Sequence, residues 1–148
     1  MTATIWTLTL NPAIDMEGLV EELQPEIKLR SSRPRLQAGG GGVNVARVLA
    51  RLGVRATAIF PCGGALGKFF RDLLEQESVA CETVNLEGAP RINTHIRVKE
   101  DNSQYRFCMP GPEMDSDDEQ RILDRVRNVL GKDDTLICSG SLPRGVEA

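Results

Sequence analysis

The chain has 148 residues, a formal net charge of −3 and a single histidine. Hydrophobic residues make up 41% and charged residues 26%, the balance of one globular domain or of one half of a larger α/β protein. A slightly acidic charge gives no broad pull toward nucleic acid or a membrane surface. No run approaches the roughly 18 apolar residues of a membrane span. Met1-Thr-Ala-Thr-Ile-Trp6 also lacks the basic-then-apolar pattern of a secretory signal, so a cytosolic location is expected. The four cysteines, Cys62, Cys81, Cys108 and Cys138, form no C-x-x-C pair. With one histidine they compose no zinc set, and they read as reduced core thiols.

In chain order, Thr4 to Leu10 is rich in β-branched and apolar residues and stops at Asn11-Pro12, a turn signal; it predicts a buried first strand. Residues 15–36 are more polar and predict short strands outside the main core. Gly39 to Gly42 then open a helix in which Val45, Val48, Leu49 and Leu52 recur at i, i+3, i+4 and i+7, the spacing of one buried face. Gly53 is its expected stop, since glycine adopts the left-handed conformation cheaply. Val54–Phe60 predicts a strand. Gly63-Gly64 leads into a second helix with Phe69, Phe70, Leu73 and Leu74 inward, and Cys81–Leu86 predicts a third strand.

From 91 to 109 the pattern changes. Ile92, Thr94, Ile96 and Val98 alternate with polar residues, Asp101-Asn-Ser turns the chain, and Gln104–Met109 returns: an antiparallel hairpin. Ser116 and Glu119 have the spacing of a capping box, with Asp115, Asp117 and Asp118 favoured at the same positive helix end. That helix is expected to bury Ile122, Leu123, Val126, Val129 and Leu130. Thr135–Ser139 is a last strand, running into Gly140-Ser-Leu-Pro143. Alternating strands and helices imply a parallel sheet with helices on both faces. The expected core segments are 1–13, 37–89 and 111–148, and the lid-like segments are 14–36 and 90–110. The ending shortly after Ser141 reads as truncation, with an uncovered parallel edge strand.

The most informative string is Gly39-Gly-Gly-Gly-Val-Asn-Val-Ala-Arg47. Four residues without Cβ let backbone N–H groups approach a ligand at a helix start. Asn44, one turn in, can donate to and accept from sugar hydroxyls. The plainer alternative is a tight connection packed against the sheet. The dinucleotide fingerprint fails, because Asn44 stands where its third glycine belongs. Gly63-Gly-Ala-Leu-Gly-Lys-Phe69 misses the phosphate-loop spacing by one and has Phe69 in place of a hydroxyl, which leaves Lys68 as a solvated helix residue. Lys28, Arg30, Arg33 and Arg35 form a basic cluster. No aromatic residues are interleaved with it, which argues against a nucleic-acid surface.

Three strings together, Thr7-Leu-Thr-Leu-Asn-Pro-Ala-Ile-Asp15, Gly39 to Arg47 and Ser139-Gly-Ser-Leu-Pro143, resemble the N-terminal signature of the ribokinase-like (PfkB) carbohydrate kinases. Ala58-Ile-Phe-Pro-Cys-Gly-Gly64 and Gln104-Tyr-Arg-Phe-Cys-Met-Pro-Gly111 resemble the type 2 6-phosphofructokinase branch of that family. Gly41 stands where the 1-phosphofructokinase and tagatose-6-phosphate kinase branches usually have lysine. The resemblance implies a three-layer α/β/α core with a small β-sheet lid, here the N-terminal half only.

It also implies roles for matching residues. Asp15, placed at the end of the first strand, would accept from sugar hydroxyls, and Gly40, Gly41 and Asn44 would hold the sugar. Arg91 would pair with the substrate phosphate, a task suited to the fixed donor fork of a guanidinium. Ser141 would bond the phosphate or sugar, and Lys28 and Arg30 would reach the phosphate from a neighbouring subunit's lid. Taken alone, Arg91 reads as a solvated strand residue and Ser141 as a turn hydroxyl; Arg33 and Arg35 read as solvated lid surface and His95 as a surface or satisfied histidine. The implied reaction is transfer of phosphate from ATP, with Mg²⁺, to fructose 6-phosphate by a longer homodimeric parent paired through its lids. The family's Gly-Ala-Gly-Asp string, which carries the catalytic base, is absent, so no catalytic or metal-ligating residue is assigned and this chain alone is expected to be inactive. A 1-phosphofructokinase, a tagatose-6-phosphate kinase and a stand-alone sugar-phosphate-binding module are the alternatives.

Overall fold

A computed structural model describes residues 4–32, 34–88 and 90–147. Its elements are β1 (Ile5–Leu8), β2 (Ala13–Val20), β3 (Arg35–Gly39), α1 (Gly41–Arg51), β4 (Ala56–Cys62), α2 (Gly64–Gln76), β5 (Ala80–Asn85), β6 (Arg91–Val98), β7 (Gln104–Cys108), α3 (Ser116–Val129) and β8 (Thr135–Cys138). Two four-stranded sheets result, in the orders β5-β4-β1-β8 and β3-β2-β6-β7.

The first sheet is parallel throughout and is covered on both faces. Successive residues of a strand point to opposite sides, and β4 separates its side chains accordingly. Ala56, Ala58, Phe60 and Cys62 pack with Val43 and Ala46 of α1 and with Phe70 and Leu74 of α2. Ile59 faces the other way, into a cluster with Trp6, Leu8, Leu136, Met114 and the α3 residues Ile122 and Val126. Phe60 and Phe70 meet edge-on, ring centroids 4.9 Å apart at 67°, the arrangement that their quadrupoles favour. The ribokinase-like three-layer α/β/α architecture expected for this chain is therefore present.

The second sheet is mixed. β2 runs antiparallel to β3 but parallel to β6, and β6 and β7 form the antiparallel hairpin read from the sequence. Its root is part of the core: Ile14 and Ala38 are 1% and 0% exposed and join the α1–α2 cluster. Farther out, Leu36, Ile92, Tyr105 and Phe107 stand exposed. The register places them on one face with Met16 and Ile96.

Several expectations shift in detail. Asp15 lies in β2 and not at the end of β1, because the chain turns at Asn11-Pro12 and re-enters a strand at once. In α1 the buried residues are Gly42, Val43, Ala46 and Arg47, while Val48 and Leu52 are 51% and 71% exposed. The helix is rotated because its glycine mouth, and not its larger aliphatics, is pulled onto the ends of β1 and β8. Gly53 closes it with φ +75°, as expected, and Val54 N–H reaches back to the Leu49 carbonyl.

The α3 N-cap is Asp115 and not Ser116: its carboxylate accepts from Asp118 N–H at 2.9 Å. Met114, buried and bonded through its N–H to the Arg144 carbonyl, fixes the chain one residue earlier, and a charged cap suits the positive helix end. Leu123 is 46% exposed, outside the α3 core face. Of the thiols Cys62 is buried and Cys81 half-buried, and burial pushes both above the ordinary cysteine value. Cys108 and Cys138 are exposed instead of buried, since β7 and β8 are edge strands. Lys68 and Arg35 are exposed; Arg33 lies outside the described residues. No described helix is long and apolar enough to cross a membrane.

Candidate functional site

The order of the parallel sheet locates the site. From β1 the chain builds outward through α1 to β4 and through α2 to β5, then returns past α3 to place β8 on the opposite side of β1. The reversal opens a crevice at the carboxyl ends of β1 and β8, where open α/β sheets bind ligands. The glycine run fills the floor of that crevice. A Cβ on Gly41 would lie 2.5 Å from the Gly140 nitrogen and from the Ser139 carbonyl carbon, so only glycine lets the helix mouth rest on the β8 loop. Gly40 has φ +118°, a backbone that L side chains avoid.

Two N–H groups at this helix mouth are already taken. Gly42 donates to the Ser139 carbonyl at 2.9 Å and Val43 to the Thr9 hydroxyl at 2.8 Å. The glycines thus serve close packing of the helix mouth on the β8 loop.

Asp15, Gln37 and Asn93 form one row across the second sheet, and Ala13, Gly39 and Arg91 form the row two residues away. Residues two apart share a face, so Asp15 and Arg91 emerge on the same side, roughly 7 Å apart along the strand direction. Asp15 Oδ1 accepts from Asn93 Nδ2 at 2.9 Å, and its other oxygen leans over Gly39, where a Cβ would lie only 2.2 Å away. Arg91 Nη2 lies 3.5 Å from Ser141 Oγ, Nη1 lies 3.4 Å from the Met109 carbonyl, and the buried Nε–H has no partner. Asn11 anchors Ser141 from below, its amide 3.3 Å from both Ser141 Oγ and the Leu142 carbonyl. Asn44, exposed on the first turn of α1, gives its side-chain oxygen to Arg47 at 3.1 Å.

Asp15, Gly40, Gly41 and Asn44 are thereby linked through the glycine mouth to the Ser139–Ser141 loop, and that loop to Arg91. Lys28 and Arg30 sit exposed on the connection between β2 and β3, with no hydrogen bond or ion pair joining them to this group among the described residues. His95 is half-buried one row beyond Asp15, opposite Glu17 and Arg106. A concavity of about 690 Å³ lies elsewhere, at the amino-terminal ends of β1, β4 and β5 beside Thr4, Gly53 and Ser78; the Asp15–Arg91 face is a different surface.

The two guanidiniums near the crevice differ sharply. Arg47 is 7% exposed and fully engaged: Nε and Nη2 on Glu77, Nη1 on the Ala38 carbonyl and Asn44, Nη2 also on Gln37, all at 2.6–3.1 Å. Its hydrogen bonds hold the Glu77 carboxyl below the ordinary glutamate value, with a smaller contribution from Arg51. Among the described residues, Arg91 has two long contacts and one orphaned N–H. Such a guanidinium is poised for an anion, since each buried unmet donor is costly.

Sequence reasoning missed Arg47, Gln37, Asn93 and Asn11. Arg47 sits at i+3 from Asn44, a helical neighbour spacing that was available. Asn93 fell on the polar side of the strand alternation, and Asn11 read as a turn signal only.

Residues 4–148 match the family model described as pfkB family carbohydrate kinase. The ATP-dependent 6-phosphofructokinase isozyme 2 of Escherichia coli (strain K12) is 43% identical over 143 residues, covering 97% of this chain and 46% of that protein. The crystal structure of Escherichia coli phosphofructokinase-2 in complex with fructose-6-phosphate superposes with a TM-score of 0.90 at 42% identity, covering 99% of this chain and 48% of that one. A structure of the tetrameric inhibited form of the same enzyme gives 0.89 at 42% identity, covering 99% and 48%. The chain spans about half the length of the relatives it matches. Matched along nearly its whole length, it belongs to the pfkB family of carbohydrate kinases.

Proposed function

We propose that the chain forms the acceptor-sugar half of a cytosolic 6-phosphofructokinase, which moves the terminal phosphate of ATP to fructose 6-phosphate and yields fructose 1,6-bisphosphate. The observation that carries this reading is Arg91: a guanidinium with an orphaned buried N–H, beside the Ser141 hydroxyl and on the same sheet face as Asp15. A dianionic phosphate at Arg91 and Ser141 would leave the sugar ring over Gly40 and Gly41. Its hydroxyls would then donate to Asp15 and accept from Asn44. The relative whose structure holds fructose-6-phosphate, similar over 99% of this chain, supports the choice of ligand.

Phosphoryl transfer depends on positioning and on donors for the moving charge. This chain supplies the positioning of the acceptor. Mg²⁺, when bound with ATP, would supply charge neutralisation for the nucleotide phosphates. Among the described residues no His, Cys, Asp and Glu side chains converge as a metal-binding set, so no metal step is assigned to them. The second sheet, residues 14–36 and 90–110, acts as a lid. Its exposed face of Leu36, Ile92, Tyr105 and Phe107 pairs with the same face of a second copy, and Lys28 and Arg30 reach the phosphate across that pairing.

Calorimetry on the natural polypeptide that carries this sequence tests the reading. Arg91→Ala should weaken fructose 6-phosphate binding roughly 10- to 100-fold, the value of a charge-assisted hydrogen-bonding group, and leave binding of unphosphorylated fructose unchanged. Equal phosphate transfer to ribose or adenosine would sink the assignment.

A further inference from the structure

We propose that Arg47 is a positioning residue, fixing the Asn44 amide so that its two N–H donors, and not its carbonyl, face the acceptor sugar. A guanidinium has five donors and no acceptor. The atom of Asn44 that meets Arg47 Nη1 at 3.1 Å can therefore only be the side-chain oxygen. With its oxygen turned to Arg47, Asn44 has its NH₂ donors left to offer the crevice.

Arg47 cannot rotate to release it. Glu77 takes Nε at 3.0 Å and Nη2 at 2.6 Å, the Ala38 carbonyl takes Nη1 at 2.8 Å, and the Gln37 side-chain oxygen takes Nη2 at 2.9 Å. The last contact orients Gln37 by the same logic, with its NH₂ turned away from Arg47. One buried group thus ties β3, α1 and the end of α2 together, and sets the polarity of two amides, Gln37 beside Asp15 and Asn44 on α1. Asp15 offers acceptor oxygens and Asn44 its NH₂ donors, so the pair favours hydroxyls that donate to one and accept from the other.

The inference rests on the sugar-binding role proposed above for Asn44, and the test separates the two. Fructose 6-phosphate affinity is measured by calorimetry in the natural polypeptide for the unmodified protein, Asn44→Ala, Arg47→Lys and the double variant, with the KM for ATP as a control. Lysine keeps the charge, but its three donors radiate from one atom and cannot span Glu77, Ala38, Gln37 and Asn44. Arg47→Lys should weaken sugar-phosphate binding about fivefold or more, while the double variant stays within about twofold of Asn44→Ala, the non-additivity of residues acting through one contact. The KM for ATP should not move.

Should Arg47→Lys fail to fold, Glu77→Gln replaces it. It loosens the guanidinium without removing it, and the same non-additivity with Asn44→Ala is expected. Unchanged affinity, or separate effects that multiply in the double variant, overturns the positioning role and leaves the proposed function standing. Failure of the unmodified protein to bind the sugar phosphate, or of Asn44→Ala to weaken it, overturns both.

Discussion

The two sheets of this molecule are built from similar numbers of strands but on opposite terms. In the β5-β4-β1-β8 sheet both faces are covered by helices, and Thr7, Ala58, Ile59 and Phe60 are wholly buried. In the β3-β2-β6-β7 sheet only the root is buried, and every residue of β7 is exposed. The first sheet buries its central strands between helices of this chain, and its edge strand β8 is partly exposed. The other offers a polar face holding Asp15, Asn93 and Arg91 and an apolar face left open. Stability is therefore expected to reside in the first sheet, and the proposed lid contacts in the second, as is usual for elements carried on a rigid scaffold.

That division is open to direct attack. Phe70→Ala should cost about 3–5 kcal/mol in denaturant unfolding, the price of a large buried ring. Phe107→Ala, at an exposed lid position, should stay within about 0.5 kcal/mol, and in the natural polypeptide should shift sedimentation toward monomer. Similar stability losses for both would erase the contrast.

Where the two regions join at the crevice, the effect should be intermediate. Gly41→Ala forces a Cβ against the backbone of Ser139 and Gly140, with an expected loss of about 1–3 kcal/mol and weaker sugar-phosphate binding. Stability unchanged by this substitution would show that the β8 loop moves aside freely.

The smallest effect concerns acid. Glu77 is held low chiefly by hydrogen bonds from Arg47, and Asp134 by the N–H groups of Gly131 and Thr4 and by the Trp6 indole. A carboxylate whose folded value is depressed adds stability that is complete above its unfolded value, about 4, and that is lost as pH falls through the lower folded value. Melting temperature should thus be flat above about pH 5 and drop below about pH 4. In Glu77→Gln the drop should be shallower, and a drop as steep as in the unmodified protein would remove Glu77 from the account.

Sequence pattern reached far into the scaffold. The second helix, with Phe70 and Leu74 wholly buried, and the antiparallel hairpin after Arg91 both follow from periods that local geometry imposes. The glycine run announced a crowded helix mouth, and the structure bears out its reading as a tight connection against the sheet. The α1 face was misjudged because apolar spacing marks a stripe without saying which neighbour will claim it; Val48 and Leu52 fit the stripe and lie outside. The α3 cap slipped by one residue because Asp115 and Ser116 are both competent caps, and only the anchoring of Met114 chose between them.

What the amino-acid order determined by itself was the set of local elements and the residue types able to meet a sugar phosphate, since helical and strand periods and the freedom of glycine act over a few neighbours. Tertiary structure alone decided which guanidinium is spent and which is free. Arg47 and Arg91 are chemically identical, and they differ only in what distant segments bring to them: Glu77, Gln37 and Ala38 around one, and little beyond Ser141 and the Met109 carbonyl around the other.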